Sequence, residues 1–186
     1  MATKENQRVT LTRRLLQEGL LELLEKQPID KISVTELCRI SGVNRSTFYN
    51  HFTAPQDVLA DIETRMTQDL LDIASRHAAN PATLECLEEI CVYLKDHKKL
   101  CTILITFNAD TDLVEVFRWI EQNCVPAKTC RRREADPDKL HLTSAFFCTG
   151  CYYMIREWLI RNIPKTPREV AELAYAFIRN SEAVQI

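Results

Sequence analysis

Apolar residues along this chain recur three and four positions apart, and no stretch shows the alternation of a strand. Leu11, Leu15, Leu16, Leu20, Leu23 and Leu24 form a stripe on a first helix. Leu59, Ile62, Met66, Leu70, Ile73 and His77 form another on a long fourth helix over about 55–78. Leu84, Leu87, Cys91 and Leu94 mark a fifth, and residues 98–107 and 112–124 predict two shorter ones. Residues 138–162 are apolar almost all round, which predicts a helix buried on several sides. Val170, Leu173, Ala174 and Phe177 complete the series.

Proline punctuates this pattern. Pro28, Pro126 and Pro164 fall where periodicity stops; Pro55, Pro81, Pro137 and Pro167 fall where it starts. A first-turn proline lacks an amide that would be unpaired there. Asn80-Pro81 and Asp136-Pro137 are cap-plus-first-residue pairs, and Thr166 with Glu169 is a capping box. Residues 125–137 are the most loop-like stretch.

Three glycines in 186 residues, none close to another, exclude a dinucleotide fingerprint and a P-loop, which need clustered glycines. The longest stretch free of Asp, Glu, Lys and Arg is Leu140–Ile155, shorter than the roughly 20 apolar residues of a membrane span. With no apolar core in the first residues to serve as a signal, the chain is expected to be cytoplasmic. Neither a nucleophile elbow nor a His-Glu zinc motif is present, so no enzyme, cofactor or metal is expected. The formal charge of −2 is unevenly placed: residues 1–53 carry +2 and the remainder −4. That tilt permits nucleic-acid binding by the N-terminal part.

The most informative segment is Ser33–Phe52. Ser33 and Glu36 form a capping box that opens a short helix over Thr35–Ser41. Gly42 stops it, Val43 plugs the turn, and Asn44 caps a second helix over Arg45–His51. Phe48 and Phe52 line one face of that helix; Arg45, Ser46, Thr47, Tyr49, Asn50 and His51 line the other. This is a helix-turn-helix layout, whose second helix meets base edges with its first residues. Arginine pairs with guanine and asparagine with adenine, while Tyr49 and His51 suit phosphate.

On these residues the chain resembles the tetracycline-repressor-like (TetR-type) bacterial transcription regulators over residues 8–60. The run Gly42-Val43-Asn44-Arg45-Ser46-Thr47-Phe48-Tyr49-Asn50-His51-Phe52 carries most of the likeness, with Leu15-Leu16, Leu20 and Ile32-Ser33-Val34 before it. Gly150, Trp158-Leu159, Ile163 and Thr166-Pro167 resemble one C-terminal type of that family. There are two departures: Ser46 replaces a frequent glycine, and Pro55 replaces a frequent phosphate-contacting lysine. The resemblance implies an all-α fold of about nine helices, with a helix-turn-helix head over 1–53 and an effector-binding, dimerising body over 54–186. It implies DNA contacts from Ser33, Thr35, Asn44, Arg45, Ser46, Thr47, Tyr49, Asn50 and His51. It further implies a homodimer through helices at about 138–162 and 167–182, a palindromic DNA operator, and release by a small-molecule effector. Tyr93, Phe107, Trp119, Tyr152 and Arg156 are the candidates to line the effector pocket, with Tyr153 beside them.

Two other readings compete. Pro55 and the modest head charge suit a helical co-regulator that binds a protein and has lost DNA. The eight cysteines suit a thiol-based sensor, and Cys148 and Cys151 have redox-pair spacing but no second close pair. Cys86 and Cys91 fit plain core positions, and Cys124 and Cys130 have poor spacing for zinc.

Overall fold

A computed structural model describes residues 4–77, 83–107 and 137–181, with side chains for 7–77, 83–105, 138, 142, 145, 146 and 149–179. Among the described residues there are eight α-helices and no strand. They are α1 (Lys4–Leu24), α2 (Val34–Ser41), α3 (Arg45–Tyr49), α4 (Pro55–Arg76), α5 (Leu84–Asp96), α6 (Lys98–Phe107), α7 (Pro137–Ile160) and α8 (Pro167–Ser181). A 3-10 turn over Ile29–Lys31 precedes α2. The helix expected at 112–124, the loop at 125–137 up to Asp136 and the Asn80-Pro81 cap lie outside the described residues. Pro55, Pro137 and Pro167 are the first residues of their helices, as their missing amides favour. None of these helices is long and apolar enough, within the described residues, to cross a membrane.

The chain divides into two compact units, Met1–Arg65 and Met66–Ile186, and α4 runs through the divide. In the first unit, Leu16, Leu20, Leu23, Leu24, Leu37, Phe48 and Val58 are buried together. The α1 stripe is narrower than its six leucines suggest: Leu11 is 55% exposed and Leu15 36%. At roughly 100° per residue, Leu15 stands about 100° and Leu11 about 140° from Leu16, outside the buried face. Helices α1 and α2 meet at Gly19, where an added Cβ would lie 3.0 Å from Ser41 Cβ. Gly42 ends α2 with φ +65°, a left-handed conformation that glycine adopts without strain.

The second unit is organised on α5, which packs most extensively against α8. Cys86, Leu87, Ile90, Cys91 and Leu94 form the buried face of α5, and Val170, Ala171 and Ala174 that of α8. Short side chains on α8 let helix backbones approach closely. Arg168 at the start of α8 bridges Glu88 of α5 (2.6 Å) and Glu172 (2.9 Å). Glu89 of α5 accepts from His77 (3.0 Å) and from Arg76, tying the end of α4 to α5. Helix α5 is capped by Thr83, whose hydroxyl accepts from the Cys86 amide.

Among the described side chains, burial of α7 is one-sided, against the expectation for 138–162. Cys151, Ile155, Trp158 and Leu159 point inward, whereas Leu142 (69% exposed), Phe146 (73%) and Tyr153 (55%) do not. The α8 stripe splits likewise, since Leu173 and Phe177 are about half exposed. Leu142, Phe146 and Tyr153 are four and then seven residues apart, and Leu173 and Phe177 four apart, so the outward residues form stripes of their own.

The predicted capping box at Thr166 is complete. The Thr166 amide donates to Glu169 (2.8 Å), its hydroxyl donates to the same oxygen (3.0 Å), and the Glu169 amide donates to the Thr166 hydroxyl (3.2 Å). Lys165 also donates to Glu169 (2.7 Å). Lys165 first, then the Thr166 amide and hydroxyl, hold the Glu169 carboxyl down at about 2, from an ordinary 4.5. A carboxyl depressed in the folded state stabilises that state fully above its ordinary value and loses the effect as pH falls toward its folded value. The first turn of α8 is therefore expected to lose protection from hydrogen exchange as pH falls from 4.5 toward 2. In Glu169→Gln that acid step should vanish; its persistence would assign it to another group.

Candidate nucleic-acid interface

The turn between α2 and α3 is built from short-range bonds. Ser33 caps α2 by accepting from the Glu36 amide (3.1 Å). The box expected there is only half formed, because the Glu36 carboxylate accepts from Gln27 Nε2 (3.0 Å) rather than closing the box as the Glu169 carboxylate does at Thr166. Val43 is buried behind Gly42, and its amide returns to Cys38 O (3.1 Å). Asn44 then caps α3: its Oδ1 accepts from Ser46 N (2.8 Å), Thr47 N (3.2 Å) and Ser46 Oγ (2.6 Å).

Helix α3 is short and two-faced. Phe48 is fully buried, in edge contact with Tyr49 (centroids 5.4 Å) and near Phe52 (6.1 Å). Of the nine expected DNA contacts, Ser33, Thr35, Asn44, Arg45, Ser46, Tyr49 and Asn50 are exposed; Thr47 and His51 are half-buried. Arg45 and Tyr49, and likewise Ser46 and Asn50, are four apart and share a helix side, turned from the Phe48 anchor. Burial raises the pKa of the Cys38 thiol, and the Arg45 charge offsets part of that rise.

Three supports of this turn come from outside the Ser33–Phe52 segment. Arg13 of α1 lies over the Phe52 ring, 5.5 Å from its centroid. Asp61 of α4 accepts from Gln17 Nε2 (2.9 Å) and faces Arg13 at 3.6 Å. Asp57 receives the amides of Thr53 (2.7 Å) and Ala54 (3.0 Å) and the Thr53 hydroxyl, which holds its carboxyl below the usual range. Asp57 thus anchors the start of α4 where Pro55 has no amide and no charge to offer. The spacing Thr53 to Asp57 was the only local clue; the Asp61 contacts span more than forty residues.

The five effector-pocket candidates fall differently. Tyr93 of α5 donates to Asp69 (2.9 Å) and stacks on His97 (4.2 Å). It lines an open groove of about 370 Å³ that mixes acidic Asp69, Asp72, Glu89 and Asp96 with Arg76 and the apolar Ile73 and Val92. Tyr152 and Arg156 both meet Tyr153: the Tyr152 ring lies edge-on to it (5.2 Å) and the Arg156 guanidinium 6.0 Å from its centroid. Arg156 also pairs with Glu157 (2.8 Å) and is half-buried. Trp119 and the Phe107 side chain lie outside the described residues.

Thiol chemistry finds little support among the described cysteines. Cys38, Cys86, Cys91, Cys101 and Cys151 are free and buried. Burial pushes Cys86 and Cys151 up to about 11, and Cys91 and Cys101 up to about 12. The thiolate is the reactive species, so these groups are held in their inert form. Cys124, Cys130 and the Cys148 side chain lie outside the described residues. Among the described residues no group of three or more His, Cys, Asp or Glu could hold a metal ion.

The TetR-type family described as "Transcriptional regulator C-terminal region" matches residues 82–180. The helix-turn-helix-type transcriptional regulator YxbF of Bacillus subtilis (strain 168) is 32% identical over 68 residues, which is 36% of this chain and 18% of that protein. Among solved structures, a TetR transcriptional regulator from Streptococcus agalactiae 2603V superposes with a TM-score of 0.66 at 17% identity, covering 94% of this chain and 97% of its own. A TetR-family transcriptional regulator from Syntrophomonas wolfei gives 0.67 at 14% identity, covering 94% and 96%. The dihydroxyacetone kinase operon activator DhaS gives 0.64 at 13% identity, covering 92% and 94%. At these identities the likeness is one of fold.

Proposed function

Since the chain belongs to the TetR-type transcriptional regulators, we propose that it is a homodimeric repressor that binds a palindromic DNA operator and is released by a small molecule held in its body. The observation that carries this reading is the capped α3, with Phe48 buried beneath it and Arg45, Ser46, Tyr49 and Asn50 exposed. A five-residue helix reads few base pairs. Two copies about a two-fold axis double the site and make it palindromic.

The outward stripes of α7 and α8 support a second copy as the partner. Leu142, Phe146, Tyr153, Leu173 and Phe177 are large, apolar and exposed. A two-fold interface uses one self-complementary patch, and these residues need no charge partner across the axis. A Cβ at Gly150 would meet nothing within 4 Å, so nothing among the described residues requires that mid-helix glycine. A second helix crossing at that point would require it. The charge placed by Phe146→Glu would face its own copy across the axis. The variant is expected to sediment as a folded monomer and lose palindrome binding; a dimer of unchanged affinity would remove this face from the interface.

Repression follows from occupancy, since a dimer on an operator that overlaps a promoter excludes polymerase. Release needs an effector that binds one arrangement of the two heads better than the other. Tyr152 and Arg156, both half-buried, are the described candidates to hold it, with Arg156 as a polar anchor.

The deciding experiment is selection of the purified protein against random duplex DNA at near-physiological salt. An enriched palindrome, bound less tightly as salt rises because counterions are released, is the expected result. A folded dimer that enriches nothing would favour the protein-binding co-regulator instead.

A further inference from the structure

The bonds around Asn44 fix what the turn can offer a base, and the inference rests on the operator-binding reading above. Asn44 Oδ1 accepts two backbone amides and the Ser46 hydroxyl. The two amides identify that atom as the oxygen, because a side-chain NH2 cannot accept them. Three donors leave it no capacity for a base. A bidentate pairing with adenine, which needs that oxygen to accept from N6, would therefore dismantle the cap of α3. Asn44 keeps only its two amide protons for DNA.

Ser46 is constrained in the opposite sense. A serine hydroxyl has one proton, and here it is donated to Asn44 at 2.6 Å. What the exposed Oγ presents outward is lone pairs. Phosphate oxygens are acceptors and give such an oxygen nothing to bind. In the major groove the donors are the amino groups of adenine N6 and cytosine N4; guanine and thymine present acceptors there.

We propose that Ser46 is a specificity-determining residue that selects an amino-bearing base, adenine or cytosine, at one position of each half-site, while Asn44 acts as a donor only. Ser46 stands where many members of the family have glycine, which has no side-chain oxygen to present. The neighbouring Arg45 and Tyr49 remain the residues that supply charge and phosphate anchoring.

The test compares the sequences selected from random duplex DNA by the wild-type dimer, Ser46→Ala and Ser46→Thr. Wild type should prefer A or C over G or T, by about three- to tenfold, at one position in each half-site. In Ser46→Ala that single preference should disappear while all other positions keep theirs, and Ser46→Thr, which restores a hydroxyl, should restore it. A purely structural role would instead weaken all sequences alike. Loss of a G or T preference, an unchanged selection or uniform weakening in Ser46→Ala would overturn the inference and leave the operator reading standing. Enrichment of nothing by the folded wild-type dimer would overturn that reading, and this inference with it. Melting curves of each variant separate these outcomes from unfolding.

Discussion

Replacing Arg45 with alanine is expected to weaken operator binding by about 2–6 kcal/mol, because each bidentate arginine–guanine pair is worth about 1–3 kcal/mol and the proposed dimer would make two. Arg45 is the first residue of α3 and is exposed, so its removal opens no cavity. The helix keeps its cap, since the three bonds to Asn44 come from residues 46 and 47. Melting temperature and dimer mass should therefore stay as in wild type. Fluorescence anisotropy against the selected operator at fixed salt reads the loss. The pattern of loss also matters. A base-reading arginine relaxes specificity at one position, whereas a phosphate-binding one weakens all sequences and reduces the salt slope by about one per contact. Unchanged affinity would remove Arg45 from the interface.

The second large effect is expected from Phe48→Ala. This side chain is fully buried and holds α3 against the core of the first unit, with Phe52 and Tyr49 packed on it. Deleting a buried phenyl ring costs about 3–5 kcal/mol through lost transfer energy and an unfilled cavity. Whole domains are stable by only about 5–15 kcal/mol, and small ones lie at the lower end. The first unit should lose most of its stability and, with it, operator binding. The second unit has its own buried face on α5 and should keep its structure. Hydrogen exchange followed along the chain checks this: protection should drop within Lys4–Arg65 and persist in α5 and α8. Retained protection around α3 would show that the site can collapse around the missing ring.

Helix-turn-helix chemistry was legible in the sequence because each of its decisions is local. Ser33 capping α2, Gly42 turning left-handed, Asn44 capping α3 and Thr166 pairing with Glu169 all act within four residues. Bonds of that range depend on residue type and spacing, which a sequence states directly. The Phe48–Phe52 spacing likewise marks the inward side of α3 before any partner is known.

Other choices needed the folded chain. The six leucines of the α1 stripe do not say that Leu11 and Leu15 lie outside, since that depends on which face α2 covers. Glu36 closes its own box or takes Gln27, and proximity in the fold decided for Gln27. Asp61 finds Arg13 and Gln17 across more than forty residues. The apolar run at 138–162 looked the same on every side, yet among its described side chains the buried ones, Cys151, Ile155, Trp158 and Leu159, lie on one side. The sequence by itself determined the helices, their caps and the polar face of α3, because these follow from bonds spanning a turn or less. Tertiary structure alone decided which faces are covered and which charges meet, because those outcomes depend on contacts between residues far apart in the chain, which pattern and spacing leave free.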